Sequence, residues 1–416
     1  MTYPLLGDLR VIESSAFIAA PLAGLTLAQF GADVIRVDMI GGGIDYARMP
    51  RVASGRSLYW TGLNKGKRSI AIDLRRPEGR ELVQALATAP GPGCGILLTN
   101  IATPWLAHNV LAARRADVIR CVIQGQSDGG TAVDYTVNCA TGYPAVTGGG
   151  SVEHPVNHVL PAWDLACAHQ AAFAILAAVD HRRRTAQGSD LRIALADVAS
   201  ATLSHLGLLA ETELLHTERP SIGNHLYGAF GRDFGTADGR RIMVAAISRN
   251  QWHALVEACG IASDIEALQK STGSNFDDEE QRFNARDAIA ELIEPWFAAR
   301  TCADAEQALE RHKVCWGKYG TVGELLASGS QVGASNPVFE RIDTPGVGAH
   351  WSAGAVARVQ GMDRTTTRAA ALLGQHTDEV LAEVLGLGDG AIGQLHDRGI
   401  VASGDRDPTV ISVASA

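Results

Sequence analysis

The first 215 residues alternate short β-branched runs with helix-patterned runs, and this alternation constrains the fold more than any other feature. Strands are predicted at residues 9–12, 33–38, 69–73, 95–100, 117–123 and 191–195. The longest predicted helix is rich in alanine and spans residues 165–184. Strands separated by helices favour an α/β domain with a doubly wound, Rossmann-like parallel sheet covered on both faces.

Length and a change of rhythm predict a second domain. The chain has 416 residues, of which 46% are hydrophobic, and this exceeds the usual size of one compact domain. A continuous helix is predicted at 198–215, and the alternation then stops. We therefore predict a large α/β domain of residues 1–216 and 331–416 and a smaller α+β domain of residues 217–330. Near the end, a helix at 377–385 is closed by Gly386.

Composition excludes several classes of function. The net charge is -9, so the chain has no general attraction for nucleic acid or anionic membranes, and we expect neither as a partner. The N-terminal sequence lacks a basic segment followed by a long apolar run, and charged residues and glycines interrupt the other apolar stretches. Seven cysteines without a C-x-x-C pair indicate reduced thiols. These features predict a cytoplasmic protein without a structural metal.

Three motif-like patterns lack the context that their chemistry requires. Residues 125–129 match the G-x-S-x-G elbow of serine hydrolases, but a turn, not a helix, is predicted after Ser127. Pro155 separates His154 from His158 and disfavours a helical metal pair. Tyr46 stands where a dinucleotide fingerprint after the 33–38 strand would need glycine. No metal or redox cofactor is therefore expected.

Asp164 is the carboxylate that most suggests chemistry, because it stands where the long alanine-rich helix is predicted to begin. Aspartate at that position is typical of a helix N-cap. The same position favours an ionised carboxylate, which a nucleophile needs, so the two roles are compatible. A compact basic loop at 64–69 contains Lys67 and Arg68, which suit phosphate groups, although a solvated turn is the simpler alternative.

Taken together, several segments occur in an order that resembles one enzyme family. They are AP at 20–21, QFGADVI at 29–35, NKGKRSIAID at 64–73, TN at 99–100, Asp164 itself and GQHTDEV at 374–380. This combination spans nearly the whole chain and is similar to the class III coenzyme A transferases, the group around formyl-CoA and carnitine CoA-transferases. The resemblance implies two-domain subunits interlocked as a homodimer, an acyl-CoA substrate and no cofactor besides the CoA of the substrate.

The resemblance also assigns roles to individual residues. It implies that Asp164 is the nucleophile that forms an aspartyl-CoA thioester. Positions that match CoA contacts of the family, or that lie in the basic loop before them, are Lys67, Arg68, Ile72, Arg75 and Asn100. Positions on the acyl side are Ile18, Tyr59, Gln126 and Arg232, and Arg232 could pair with a free carboxylate of the acid or be a surface arginine.

Further stretches are similar to a branch of the family that moves CoA within one molecule. They are IGGGIDY at 40–46, LNKGKRS at 63–69, VDYTVN at 133–138, VNHVLPAWD at 156–164 and LYGAFGRDF at 226–234. This similarity implies conversion of mesaconyl-C1-CoA (2-methylfumaryl-CoA) to mesaconyl-C4-CoA (3-methylfumaryl-CoA). Because LYGAFGRDF occupies the place of a mobile glycine run in intermolecular transferases, we expect that it keeps the acid in place.

Three alternatives remain open on the sequence. The first is an intermolecular class III CoA-transferase that acts on another dicarboxylic acid. The second is a non-catalytic acyl-CoA-binding protein, in which Asp164 is only a cap. The third is a racemase, which Val133 opposes because related racemases have a catalytic histidine at that position.

Overall fold

A computed structural model describes residues 2–410. The strands in this range are β1 Arg10–Ser14, β2 Asp33–Met39, β3 Arg68–Ile72, β4 Ile96–Thr99, β5 Ile119–Gln124, β6 Ser189–Ala194, β7 Phe230–Gly235, β8 Arg241–Ala246, β9 Cys315–Lys318, β10 Phe339–Thr344, β11 Gly348–Ala353 and β12 Val401–Ala402.

The helices are α1 Ala19–Gln29, α2 Leu58–Asn64, α3 Pro77–Ala87, α4 His108–Ala112, α5 Asp134–Cys139, α6 Tyr143–Val146, α7 Ala162–Thr185, α8 Leu195–His205, α9 Leu208–Leu215, α10 Arg249–Cys259, α11 Ala262–Thr272, α12 Glu279–Asn284, α13 Arg286–Ala298, α14 Cys302–Arg311, α15 Val322–Ser328, α16 Thr377–Leu385 and α17 Asp389–Asp397. Short 3-10 turns occur at Pro4–Leu6, Pro104–Leu106 and Gly404–Arg406.

The chain divides into two compact units. Unit 1 comprises Met1–Thr141, His158–Thr217 and Gly329–Ala416, and unit 2 comprises Gly142–Asn157 and Glu218–Ser328. The larger division lies within two residues of the predicted domain limits. The exception is Gly142–Asn157, which the sequence placed in the large domain and the structure groups with unit 2.

A seven-stranded sheet with the order β12-β3-β2-β1-β4-β5-β6 forms the centre of unit 1. All its neighbouring pairs are parallel except β12 with β3. The predicted α/β class with a mostly parallel sheet is confirmed. In this strand order the chain reverses its direction of winding between β1 and β4, and ligands of such folds bind outside the carboxyl ends of the strands at that switch point.

Helices cover both faces of this sheet. α1 and α7 pack against each other, α1 over β1, β2 and β4 and α7 over β5 and β6. α3 and α16 also pack against each other, α3 over β1 and α16 over β3. Fully buried apolar side chains such as Ile35, Ile70, Val83 and Val380 fill one of these layers. By length and composition alone α7 could cross a membrane; its contacts with α1, α8, β5 and β6 explain the apolar sequence as a core helix.

Unit 2 is a separate α+β unit. Its three-stranded antiparallel sheet has the order β7-β8-β9, and α10 and α13 pack on it. Its core is aromatic, with Phe230, Phe234, Trp252, Phe276 and Phe297 all buried.

Some elements differ from the sequence predictions. The predicted continuous helix at 198–215 is wrong: α8 ends at His205 and α9 begins at Leu208, because Gly207 between them adopts a left-handed backbone with φ of 80°. The predicted helix at 377–385 is confirmed as α16, while α17 and the β10–β11 hairpin were not predicted.

We expect Gly374→Ala to destabilise the protein by about 3 kcal/mol. Gly374 has a φ of 76°, and an added Cβ would lie 2.4 Å from the carbonyl oxygen of Ala402 on β12. The control is Gly386→Ala, at a φ of 67° with open space around its Cβ, where we expect a loss of about 1 kcal/mol from backbone strain alone. Urea unfolding measures both, and equal losses would show that close packing against β12 does not matter.

Candidate active site

Asn100 joins the two loops that leave the sheet at its switch point. Its side-chain Oδ1 accepts a hydrogen bond from the backbone N–H of Ala16 at 2.9 Å, and its Nδ2 donates to the carbonyl of Ala16 at 2.7 Å. Ala16 follows β1 and Asn100 follows β4. Both ends of the amide are therefore used inside the fold, so the role of Asn100 is to fix the loop beside the predicted CoA site.

Two further buried side chains hold the same loop. Arg36 donates to the carbonyl of Ser15 at 3.0 Å, and Asp45 accepts from the N–H of Phe17 at 3.0 Å. Phe17 has a φ of 65°, a left-handed conformation that costs an aromatic residue about 1–2 kcal/mol. Such strain persists where the surroundings over-determine the backbone, and it is commonest at functional sites.

A buried ionic network lies beneath this loop. Arg36 pairs with Glu13 and with Asp38 at 3.2 and 2.8 Å, and Lys67 pairs with Glu13 at 2.8 Å. All four side chains are at most 3% exposed. Burial lowers the pKa of Lys67 to about 8, against the attraction of Glu13. Paired burial of this kind fixes geometry at a desolvation cost.

The structure does not support Lys67 and Arg68 as phosphate donors. The Lys67 ammonium donates to Glu13, the carbonyl of Pro21 and Asn64, which uses its three hydrogens. Arg68 is bound by Asp33, Glu379 and Glu383. The sequence showed a basic loop but did not show that the charges of Lys67 and Arg68 are neutralised by carboxylates inside the fold.

Two other predicted CoA contacts, Ile72 and Arg75, lie at the C-terminal end of β3 and just after it. The Ile72 side chain is fully buried in the apolar layer under α3 and α16, so only its backbone could contact a ligand. Arg75 is 79% exposed and pairs with Asp73. Among the predicted basic residues, Arg75 is therefore the one whose position suits a phosphate.

Asp164 is not the N-cap that the sequence suggested. α7 begins at Ala162 with Pro161 as its N-cap residue, so Asp164 is the third helical residue. Asp134 on α5 performs the capping instead, because its Oδ2 accepts from the N–H of Trp163 at 2.7 Å and from that of Asp164 at 3.0 Å. The Asp164 carboxylate is thereby left for other chemistry.

The Asp134 cap is itself held in place. Its Oδ1 lies 2.9 Å from Nε2 of His158, and its side chain is 2% exposed. A second link runs from the indole N–H of Trp163 to Asn138 on α5 at 3.0 Å. α5 and the start of α7 are thus joined by the Trp163–Asn138 side-chain pair and by the bonds from Asp134 to two backbone amides, across 25–30 residues of sequence.

The electrostatics of Asp164 are those of a basic carboxylate. Burial, with the like charge of Asp134 adding to it, raises the pKa of Asp164 to about 7. Near neutral pH it is partly ionised and more basic than an ordinary aspartate. A carboxylate of this kind is a suitable nucleophile toward an acyl group.

Among the predicted acyl-side residues, Tyr59 is the one linked to Asp164. Burial raises the pKa of the Tyr59 phenol, and the charge of Asp164 adds to that effect while Arg48 opposes it. Arg48 lies over the Tyr59 ring at 5.2 Å and over the Phe17 ring at 5.6 Å. Tyr135 also acts electrostatically on Tyr59.

Ile18, Gln126 and Arg232 occupy three different settings. Ile18 precedes α1 as its N-cap residue. Gln126 lies in a turn closed by Gln126 N–H to Gly130 O at 3.1 Å, which agrees with a glycine loop and not with a hydrolase elbow. Arg232 lies on β7 in unit 2, with its guanidinium 5.2 Å from the Phe234 ring centre.

Sequence reasoning missed the residues that position this site. Asp134, His158 and Asp45 lie in stretches that resemble the family, but neither they nor Arg48 were assigned a positioning role, because each acts on a partner distant in sequence or in another loop. His158 was weighed as a metal ligand with His154. In the described part of the chain, no group of three histidine, cysteine or acidic side chains is arranged to hold a metal ion.

The parallel sheet and the basic carboxylate of Asp164 are compatible with acyl transfer, and comparison with known proteins gives the family. Residues 6–377 match CoA-transferase family III, so this chain belongs to that family and the predicted resemblance is confirmed.

Particular relatives match along nearly the whole length. The chain is 49% identical over 404 residues to 2-methylfumaryl-CoA isomerase of Chloroflexus aurantiacus, covering 97% of this chain and 99% of the relative. It is 27% identical to succinyl-CoA–D-citramalate CoA-transferase of the same organism, covering 95% and 98%. The fold matches a CAIB/BAIF family protein from Brucella suis with a TM-score of 0.73 at 24% identity, covering 92% of this chain and 100% of that one.

We expect Asp164→Asn to stabilise the protein at pH 8 by on the order of 2 kcal/mol. The pKa of Asp164 is raised from 3.8 to about 7 in the folded chain. The protonated side chain therefore contributes its full stabilisation of the folded state below pH 3.8. This stabilisation is lost as the pH rises through about 7, where the buried carboxyl group ionises. Asparagine carries no charge, so the advantage of the variant should shrink as the pH falls toward 4.

Asp180→Asn serves as the control, because Asp180 lies in the same helix, is exposed and pairs with Arg184. Unfolding midpoints from pH 4 to 8 would be compared for both variants. A pH-independent effect of Asp164→Asn would contradict the assigned electrostatics.

Proposed function

We propose that this protein transfers CoA between the two carboxyl groups of mesaconate, converting mesaconyl-C1-CoA to mesaconyl-C4-CoA with Asp164 as nucleophile. The observation that carries the proposal is the 49% identity, along 97% of the chain, to a protein named as an isomerase. A relative named as a transferase between two acids reaches only 27%. The basic, partly buried Asp164 supplies a chemical group suited to this reaction.

In the first half of the reaction, the Asp164 carboxylate attacks the thioester carbonyl of mesaconyl-C1-CoA. The carbon–sulfur bond breaks, CoA leaves as a thiolate, and a mesaconyl–aspartyl anhydride forms. The thiolate then attacks the aspartyl carbonyl, which releases the C1 carboxylate of mesaconate and leaves CoA on Asp164 as a thioester. Because the nucleophile must be ionised, the pKa near 7 favours reaction from neutral pH upward.

In the second half, the C4 carboxylate of the same mesaconate attacks the aspartyl thioester. Thiolate leaves again, a new anhydride forms at C4, and thiolate attack on the C4 carbonyl gives mesaconyl-C4-CoA and free Asp164. Every step is an acyl transfer between the CoA thiolate and a carboxylate of Asp164 or mesaconate, and no atom changes its oxidation state. We therefore propose no cofactor besides the CoA of the substrate. Keeping mesaconate bound makes its second carboxylate an intramolecular reactant at high effective concentration.

The surroundings of Asp164 support these roles. Asp134 binds the first free amides of α7 and so leaves the Asp164 oxygens available. The fixed loop at 15–17 provides a rigid wall at the carboxyl edge of the sheet. We further propose, from the family resemblance and the acidic composition, that the protein works as a cytoplasmic homodimer.

The test is incubation of the purified protein with mesaconyl-C1-CoA alone, followed by chromatographic separation of the two isomers. We expect the C4 isomer to form without added acid and without incorporation of labelled free mesaconate. Asp164→Asn, the matched inactive variant, should give no isomer. Product that appears only when a second acid is added would replace this proposal with an intermolecular transferase, and no product with any acid would leave acyl-CoA binding.

A further inference from the structure

We propose that Arg48 binds the free carboxylate of the acyl group and so makes the site selective for acyl-CoA substrates that carry a second carboxylate. The inference rests on the proposed function and adds to it a residue that recognises the part of the acid not bound to sulfur. Arg48 belongs to unit 1, as does Asp164.

Arg48 is a positive group whose direction is fixed by aromatic rings. Its guanidinium lies 5.6 Å from the Phe17 ring centre and 5.2 Å from the Tyr59 ring centre. Contacts of this kind with aromatic rings leave the N–H groups of an arginine able to donate. Arginine commonly binds a carboxylate through two parallel N–H donors.

The guanidinium of Arg48 lacks a counter-ion among the residues that the structure describes. Within residues 2–410, no carboxylate lies within 4.0 Å of its nitrogens, in contrast to Arg36, Arg68 and Arg75, which are all paired. Asp45, three residues earlier, is turned inward to the N–H of Phe17 and to Arg36. Arg48 thus keeps its charge and its donors for a group from outside the chain.

Arg48 and Asp164 share Tyr59 as a neighbour. Both Arg48 and Asp164 act electrostatically on the Tyr59 phenol, with opposite effects on its pKa. Tyr59 therefore lies near both groups: its ring contacts the guanidinium of Arg48, and its phenol is within the electrostatic influence of Asp164. An acid with four carbons in its backbone has its two carboxyl groups at opposite ends, and the proposal places one end at Asp164 and the other at Arg48.

The support beneath Arg48 is rigid. The strained backbone of Phe17 is held by Asp45, and its neighbour Ala16 is held by Asn100. The N–H of Arg48 donates to the carbonyl of Asp45 in a turn. The strain at Phe17 thereby has a function: it places the ring against which the arginine packs.

Such a contact explains how one acid could stay bound through both halves of the reaction. Whichever carboxylate is not reacting carries a full charge, and an arginine offers it charge-assisted hydrogen bonds at either stage. Release and rebinding from solution would lose the advantage of an intramolecular reactant.

The experiment measures binding in the Asp164→Asn background, which prevents turnover. The two probes are mesaconyl-C1-CoA and tiglyl-CoA, in which a methyl group replaces the C4 carboxylate. Titration calorimetry is compared for the background protein and for the added changes Arg48→Gln, Arg51→Gln and Arg232→Gln. Arg51 is the matched control, an exposed arginine three residues from Arg48.

We expect Arg48→Gln to weaken mesaconyl-C1-CoA binding about 10–100-fold and to leave tiglyl-CoA binding unchanged, which also shows that the variant is folded. Arg51→Gln should change neither affinity. Equal weakening of both probes, or no weakening of either, would overturn the proposal. Loss of the discrimination in Arg232→Gln instead would move the carboxylate site to unit 2.

The isomerisation assay of the wild-type protein keeps the two proposals apart. If wild type fails to isomerise while Arg48→Gln still loses its preference for mesaconyl-C1-CoA, the proposed function is wrong and the carboxylate site stands. If wild type isomerises while Arg48→Gln keeps that preference, the proposed function stands and the carboxylate site at Arg48 is wrong.

Discussion

The hydrogen bonds from the first turn of α7 to the carboxylate of Asp134 are the interaction on which the site depends. A helix N-terminus needs acceptors for its free amides, and an aspartate in the first turn commonly provides one. Here Asp134 binds the amides of Trp163 and Asp164 from outside the helix. The carboxylate of Asp164 is therefore not needed to cap the helix. A second negative charge, that of Asp134, also lies next to it.

That arrangement lowers the stability of the fold and makes the carboxylate of Asp164 more basic. Burial and the charge of Asp134 both disfavour the ionised form of Asp164 and raise its pKa to about 7. A fold selected only for stability would place a neutral group there. The network of His158, Asn138 and Trp163 around the cap keeps the two carboxylates together against their repulsion.

The fold supplies the second constraint, through the point where the sheet reverses its winding. Asn100 ties the loops after β1 and β4 to each other, and the buried network of Glu13, Arg36 and Lys67 lies directly below. The rigid edge that results carries Phe17 and, against it, Arg48. Residues that look suited to phosphate in the sequence, such as Lys67, instead serve this internal scaffold.

Local sequence patterns predicted what depends on neighbours in the chain. The strands β2 to β5, the helix α7 and the capped helix α16 followed from β-branched runs, alanine content and Gly386. The break at Gly207 was missed because apolar spacing continues across it. The strand β12 could not be predicted either, since two residues gain their strand conformation only by pairing with β3.

The site divides in the same way. Asp164 was found because it lies near the start of a long helix within a family pattern, and Tyr59 followed from that pattern. Asp134, Asp45 and Arg48 could not be found, because their roles come from contacts that only folding creates. The basic loop at 64–69 misled for the matching reason: Glu13 and Asp33, which neutralise it, lie at least 35 residues away in the sequence.

The central claim is that CoA passes through a covalent bond to Asp164, and hydroxylamine trapping tests it most directly. The protein would be mixed with mesaconyl-C1-CoA, quenched with hydroxylamine, digested and analysed by peptide mass spectrometry. The expected result is an aspartyl hydroxamate at residue 164, formed only when substrate is present. A hydroxamate at another carboxylate, or none in a sample that still forms the C4 isomer, would contradict the account.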